Sequence, residues 1–265
     1  LAARSRFLMA RSYEHLEEWD AALDAYALCL DGLSELGDLV RLRMAACFVG
    51  EGEDDLAMSQ LRAIVDDGTD TAYDRPAMME LARRYEEADD YDMALQWYRL
   101  FMTEAETYDE RALAHFRMGQ AFERRGDKEA AKKSYATAVN EFPRSRHAHD
   151  ALKEGRKISR AFTDRYHQGL VLYNRGLYRD SAEFFTYYLR HNDEDEFDHE
   201  ACYFLGRSQQ RLGNFGTAAA KYEDATEFGP DSEYYDLAWS KLAYCRRASG
   251  RIEESLSTYE RFLTQ

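Results

Sequence analysis

MGQAFERRGDKEAAKKSYATAVNEFPRS, residues 118–145, reads as two amphipathic helices that meet at a glycine. Met118, Gly119 and Phe122, at helical spacing, make one apolar face. Gly126 then supplies a left-handed stop and Asp127 an N-cap. Ala130, Ala131, Tyr135, Ala138 and Val139 form the apolar face of the second helix, which Pro143 ends. A helix pair of this size cannot bury both faces alone, so the reading predicts a stack of related pairs.

The rest of the chain supplies them. SYEHLEEWDAALDAYALCL places Tyr13, Trp19, Ala22, Tyr26 and Cys29 in matching positions. MAACFVGEGEDDLAMSQLRAIV is a weaker copy: Phe48, Gly52, Ala57, Leu61 and Ile64 fit, but Asp54 stands where an aromatic is expected. A third copy runs through Leu81, Ala82, Tyr85, Tyr91, Ala94, Tyr98 and Phe101. After the fourth, which is the stretch quoted, a fifth uses Gly169, Leu172, Gly176, Tyr178, Ser181, Phe185 and Tyr188. A sixth uses Leu205, Gly206, Gly213, Phe215, Ala218, Tyr222, Ala225 and Pro230, and a seventh runs from Leu242 and Ala243 through Gly250, Ile252, Ser255, Tyr259 and Phe262.

The small residue after each turn steps by 37 from Ala57 to Ala94 to Ala131, and then by 50 to Ser181, so 13 residues are extra. They lie in RSRHAHDALKEGRKISRAFTDRYHQGLVLYNRG, residues 144–176. Ala148, Leu152, Gly155, Ser159, Phe162, Tyr166, Gly169 and Tyr173 alternate by four and three, which favours one long helix. The alternative is a short extra helix ending near Thr163, with Thr163 or Asp164 capping a new start.

His115, Met118, Gly119, Phe122, Gly126, Ala131, Tyr135, Ala138 and Pro143 fill, in order, the large, Leu-Gly, aromatic, turn, small, aromatic, small and Pro places of the tetratricopeptide repeat. The chain resembles that family over nearly its whole length. It departs in its period, 37 residues here against the common 34. The longer unit resembles repeats of bacterial cell-envelope proteins: outer-membrane assembly lipoproteins, cell-division coordinators and the helical region of soluble lytic transglycosylases. The junctions FPRSRHAHDAL and FGPDSEYYDLAW are similar to those of that group. The resemblance implies an all-α, right-handed superhelical solenoid of about seven helix pairs with one inserted or lengthened helix. Residues 1–143 then form an array of about four repeats, 144–165 a basic inserted helical segment, and 166–265 about three more repeats of one continuous solenoid. Its concave groove is lined by the first helix of each pair.

Composition narrows the function. Hydrophobic content of 45% with 32% charge is that of a packed chain. A net charge of -15 argues against nucleic-acid binding, which needs a dominant basic surface. No run of apolar residues is long enough to span a membrane, and no signal peptide precedes the first helix. Leu1 already sits in helical pattern and Gln265 inside another helix, so the chain reads as a fragment or processed form, and a lipid anchor outside it would leave no trace. Cys29, Cys47, Cys202 and Cys245 show neither C-x-x-C nor zinc spacing and read as small core residues. Cys29 and Cys47 fall where one repeat stacks on the next, and a disulfide between them is the lesser reading.

Binding residues are expected off the core stripe of the first helices: Phe7, Arg11, Arg83, Phe116, Gln120, Tyr166, Tyr173, Tyr203, Arg207, Arg211, Tyr244 and Arg247. Arg and Tyr dominate binding hot spots because they combine large contact area with directional hydrogen bonds. Tyr203, Arg207 and Arg211, four apart, are expected to share a face whose truncation removes no core volume. The Lys-and-Asn clamp of chaperone-binding members is replaced by Phe7, Arg11, Met79, Arg83, Phe116 and Gln120, which argues against chaperone-tail recognition. A second candidate is the basic stretch Arg146, Lys153, Arg156, Lys157 and Arg160, continued by Arg144 and Arg165, as a docking face for an acidic partner. NDEDEFDHE, residues 192–200, is its acidic counterpart and reads as a solvated connection, since it lacks a calcium loop's Gly.

No nucleotide, metalloprotease or hydrolase fingerprint occurs, and His147 and His149 face different sides of a helix. The sequence therefore predicts a non-enzyme with no cofactor or metal: a scaffold that holds partner polypeptides, in a bacterial periplasm or envelope, with the cytoplasm as the alternative compartment. The competing readings are the non-catalytic part of a lytic transglycosylase-like enzyme and a subunit of a transport or substrate-binding system.

Overall fold

The computed structural model describes residues 2–30, 36–68, 71–191 and 195–264, and among them it is helical with no strand. It divides into two compact units, Leu1–Asp127 and Lys128–Gln265. Sequence reading drew the first boundary later, at residue 143.

In unit 1, α1 (Ala2–His15), α2 (Trp19–Leu30), α3 (Gly37–Glu51), α4 (Asp54–Val65), α5 (Asp74–Glu87), α6 (Tyr91–Glu104) and α7 (Tyr108–Arg125) each pack on the next. Local sequence sets their ends. Thr107 and Glu110 form a reciprocal capping box at the start of α7, and Asp90 accepts from the Met93 amide at the start of α6. Gly126, at φ 91°, closes α7 in the left-handed conformation expected of it.

In unit 2, α8 (Lys128–Glu141), α9 (Arg146–Ile158), α10 (Arg165–Asn174), α11 (Tyr178–His191), α12 (Asp198–Arg211), α13 (Phe215–Thr226), α14 (Tyr235–Ala248) and α15 (Ile252–Leu263) again pack in sequence. The favoured long helix over 144–176 is not formed. α9 stops at Ile158, and α10 starts afresh behind Asp164, whose carboxylate accepts from the His167 amide at 2.9 Å. The reason lies at Gly155: a Cβ there would stand 2.5 Å from the ring of Phe162, so the chain folds back and Phe162 packs onto α9. The same close approach joins Gly206 to Tyr222, where a Cβ would meet the ring at 2.9 Å. α9 is thus built like the first helix of a repeat, with Phe162 in place of the aromatic that a second helix would bring.

The small-residue positions are buried: Ala22, Ala57, Ala94, Ala131, Ser181, Ala218 and Ser255. Two of them are serines and need partners. Ser181 donates to the Gly169 carbonyl at 2.9 Å and Ser255 to that of Ala243 at 2.8 Å, each twelve residues back on the preceding helix. No disulfide joins the four buried cysteines. Burial pushes the thiols of Cys47 and Cys245 up to about 11 and that of Cys202 to about 12, which suits inert core residues. Of the acidic connection, residues 192–194 lie outside the described residues; Asp195–Phe197 is a 3-10 turn.

Candidate functional site

On the first helices of unit 1, Arg11, Arg43, Arg83 and Arg84 lie against carboxylates. Glu14 accepts from the Tyr26 hydroxyl at 2.6 Å and from Arg43 at 3.2 Å, with Arg11 at 3.6 Å. Phe7 packs edge-on to Tyr26, ring centroids 5.7 Å apart. Arg83 bonds Glu80 at 2.9 Å and Glu87 at 2.7 Å. Its neighbour Arg84 is buried and reaches Glu87 at 2.7 Å and both Glu80 and Asp54 at 3.1 Å. Asp54, the residue that breaks the repeat pattern, is thus one of three carboxylates around the buried Arg84. Gln120 accepts from Arg117 at 3.1 Å, and Phe116 is half-buried. Burial holds the Glu86 carboxyl above its usual range, against the Tyr98 hydroxyl, Arg124 and Arg117, which favour its charge.

Unit 2 places Arg207, Arg211 and Arg247 on rings. Arg207 lies over Tyr173 at 5.7 Å and over Tyr203 at 5.8 Å, and donates to the Tyr203 hydroxyl at 3.1 Å. Arg211 lies over Tyr178 at 5.8 Å and Arg247 over Tyr244 at 5.9 Å. Burial works against the Arg207 charge, but the Tyr203 hydrogen bond and the surrounding phenols hold its pKa above the ordinary value. Among the described residues no carboxylate comes within 4.0 Å of Arg207, Arg211 or Arg247. Arg246, next to Arg247, shows the contrast, since it bonds Glu223 at 2.6 Å.

Two expected groove residues are core instead. Tyr203 is 2% exposed because Tyr234, from the connection before α14, stacks on it with centroids 4.6 Å apart. Tyr166 is 4% exposed, stacked on Phe197 at 4.5 Å, with its hydroxyl donating to Glu200. The expectation that removing Tyr203 costs no core volume is therefore wrong. Tyr173 is half-buried and Tyr244, at 39%, exposed.

The basic stretch is exposed at Arg146, Lys153, Arg156, Lys157 and Arg160. Lys157 is bonded to Glu154, Arg146 to the ring of His147, and Arg156 lies over Phe184 at 5.3 Å. Phe184 and Tyr187 lie on α11, a second helix, outside the first-helix positions where binding residues are expected. Their signal was the run FFTYY, residues 184–188, which holds two aromatics more than the buried stripe of Phe185 and Tyr188 needs.

The repeat geometry agrees with the family comparison. The model of the tetratricopeptide repeat-like domain matches residues 13–154. This chain belongs to the tetratricopeptide-repeat family. Among solved structures it is similar to a tetratricopeptide repeat protein from Parabacteroides merdae, at 13% identity and TM-score 0.45, covering 99% of this chain and 92% of that one. The yeast Sti1 TPR2AB domain, solved in complex with pHSP90, is 17% identical at TM-score 0.41, over 99% and 90% of the two chains. The C-terminal part of a TPR repeat-containing protein from Cytophaga hutchinsonii is 13% identical at TM-score 0.42, over 95% and 98%. No curated protein matches the chain. None of the described helices is long and apolar enough to cross a membrane.

Proposed function

We propose that this tetratricopeptide-repeat protein is a non-catalytic scaffold that holds a partner polypeptide on the first helices of unit 2, through Tyr173, Arg207 and Arg211 and through Tyr244 and Arg247. One observation carries this: these guanidiniums rest on tyrosine faces with no carboxylate to spend their hydrogen bonds on. A ring orients the guanidinium and supplies contact area, while the outward N–H groups stay available for a carboxylate or a backbone carbonyl of the partner. The long repeat and its junctions support a place in a bacterial cell-envelope assembly.

The test is capture of the partner from the native source with wild-type protein and with Arg207→Ala/Arg211→Ala, followed by calorimetry on the partner recovered. The variant is expected to lose roughly 2 kcal/mol of binding, the size of a hot spot, with a loss of stability below about 1 kcal/mol. Equal affinity for the two proteins excludes this face.

A further inference from the structure

Three recesses of unit 2 share one side chain, Tyr187 of α11. The largest, about 610 Å³, opens between Arg179, Glu183, Arg190 and the end of α12 at Leu212. A second, about 380 Å³, lies between residues 161–165 and His191, and a shallower one of about 160 Å³ between Arg165 and Phe184. The Tyr187 ring is 50% exposed and stacks on His191 with centroids 4.2 Å apart. Arg165 spans the two neighbouring rings, 5.2 Å from Phe184 and 5.3 Å from Tyr187, and Arg156 covers Phe184 from α9. This face belongs to a second helix and uses none of the residues assigned to the α10, α12 and α14 site.

Its charge opposes that of the molecule. Among the described residues no carboxylate lies within 4.0 Å of Arg156, Arg165, Arg179 or Arg190. Asp164, on the rim, is already engaged by the ring and amide of His167, which leaves Glu183 as the exposed acid of the lining. Four guanidiniums thus gather on a chain of net charge -15. At physiological salt the remaining charge is screened beyond about 8 Å, so a short acidic segment seated here responds to the local balance of four guanidiniums against Glu183 and Asp164, whereas a long polyanion such as a nucleic acid runs onto acidic surface. The two larger hollows are lined mostly by polar side chains, while the smallest, between Phe184 and Tyr187, is the apolar one and has room for an apolar side chain.

We propose that the Phe184 and Tyr187 face of α11 is a second docking site, for an acidic polypeptide segment carrying an aromatic or bulky aliphatic residue beside its carboxylates. The arginines engage the carboxylates, bidentate where geometry allows, and the apolar side chain packs beside Tyr187. The experiment is selection of a random displayed peptide library against the protein, then fluorescence anisotropy of the enriched peptides. Enriched sequences are expected to be acidic with an aromatic or Leu. Tyr187→Ala and Arg165→Glu should each weaken them roughly tenfold, with helical melting by circular dichroism unchanged in the Tyr187→Ala protein. Arg207→Ala/Arg211→Ala should bind them as wild type does, which separates this site from the one proposed above. Enrichment of neutral or basic peptides, no enrichment, or affinity indifferent to both α11 variants overturns the proposal. So does a labelled oligothymidine that binds more tightly than the peptides and loses affinity in the same variants.

Discussion

The two units use the same residue on the same kind of helix to opposite ends. In unit 1, Arg11, Arg43, Arg83 and Arg84 lie on first helices and face carboxylates. In unit 2, Arg207, Arg211 and Arg247 lie on first helices and face tyrosines. A guanidinium neutralised by a carboxylate has little left to offer a partner, and if exposed adds little to stability. One laid on an aromatic ring keeps its charge and most of its donors. The lesson is that residue type and repeat position do not define a binding arginine; the group it rests on does.

The sharpest way to break this contrast is to remove a ring. Tyr203→Ala is expected to cost about 3 kcal/mol, the range for truncating a buried aromatic, because the ring fills the space between α12 and Tyr234. Denaturant unfolding measures it, and a neutral result means that Tyr234 closes over the gap. Arg84→Ala, in unit 1, is expected to cost about 2 kcal/mol. That is less than the 3 to 5 kcal/mol of a fully buried ion pair, since Asp54, Glu80 and Glu87 are themselves partly exposed. If it unfolds no more easily than wild type, the unit 1 pairs are decoration.

Asp164→Ala tests the start of α10, which carries Tyr173 and Arg165. Loss of the cap should cost about 1 kcal/mol near neutral pH. Burial pushes the Asp164 carboxyl up, but the His167 side-chain and amide bonds and the charge of that ring prevail and hold it below its ordinary 3.8. A lowered acid contributes its stability fully above that value and loses it as the pH falls below, so the gap between variant and wild type should close in acid. A gap that stays constant across thermal melts at falling pH rules out the charged cap. Smallest of all, Arg207→Ala/Arg211→Ala should shift unfolding by less than about 1 kcal/mol, since Arg211 is exposed and half-buried Arg207 gives up one hydrogen bond, to Tyr203; a loss as large as that of Arg84→Ala would make these arginines structural and erase the distinction between the units.

Much of the fold was legible because the signal is local and repeated. The small residues from Ala22 to Ser255 are buried, and the tyrosines at 26, 98, 135 and 222 are the largest of the fully buried side chains, as a shared spacing required. The stop at Gly126 follows from residue chemistry within one turn, as does the cap at Asp164, which belonged to the alternative reading of two helices. The site was only partly legible. Tyr203 and Arg207 lie on one helix and were assigned together, yet Tyr203 is covered by Tyr234, thirty-one residues on, and helical periodicity holds no information about what a distant connection will cover. The alternating fours and threes through residues 148–173 suggested a continuous helix, and the contact between Phe162 and Gly155 interrupted it.

The sequence by itself determined that this chain is a run of tetratricopeptide-type helix pairs, because the spacing of small and aromatic residues is a contract between neighbouring helices that each pair signs alone. It also determined that any basic surface would be local, since the acidic balance is a property of composition. Tertiary structure alone decided which arginines meet carboxylates and which meet rings, which tyrosines are core, and that Phe184 and Tyr187 stand beside Arg156 and Arg165. Those are encounters between side chains on different helices, set by how the backbones cross and return, and no periodicity along one helix encodes them.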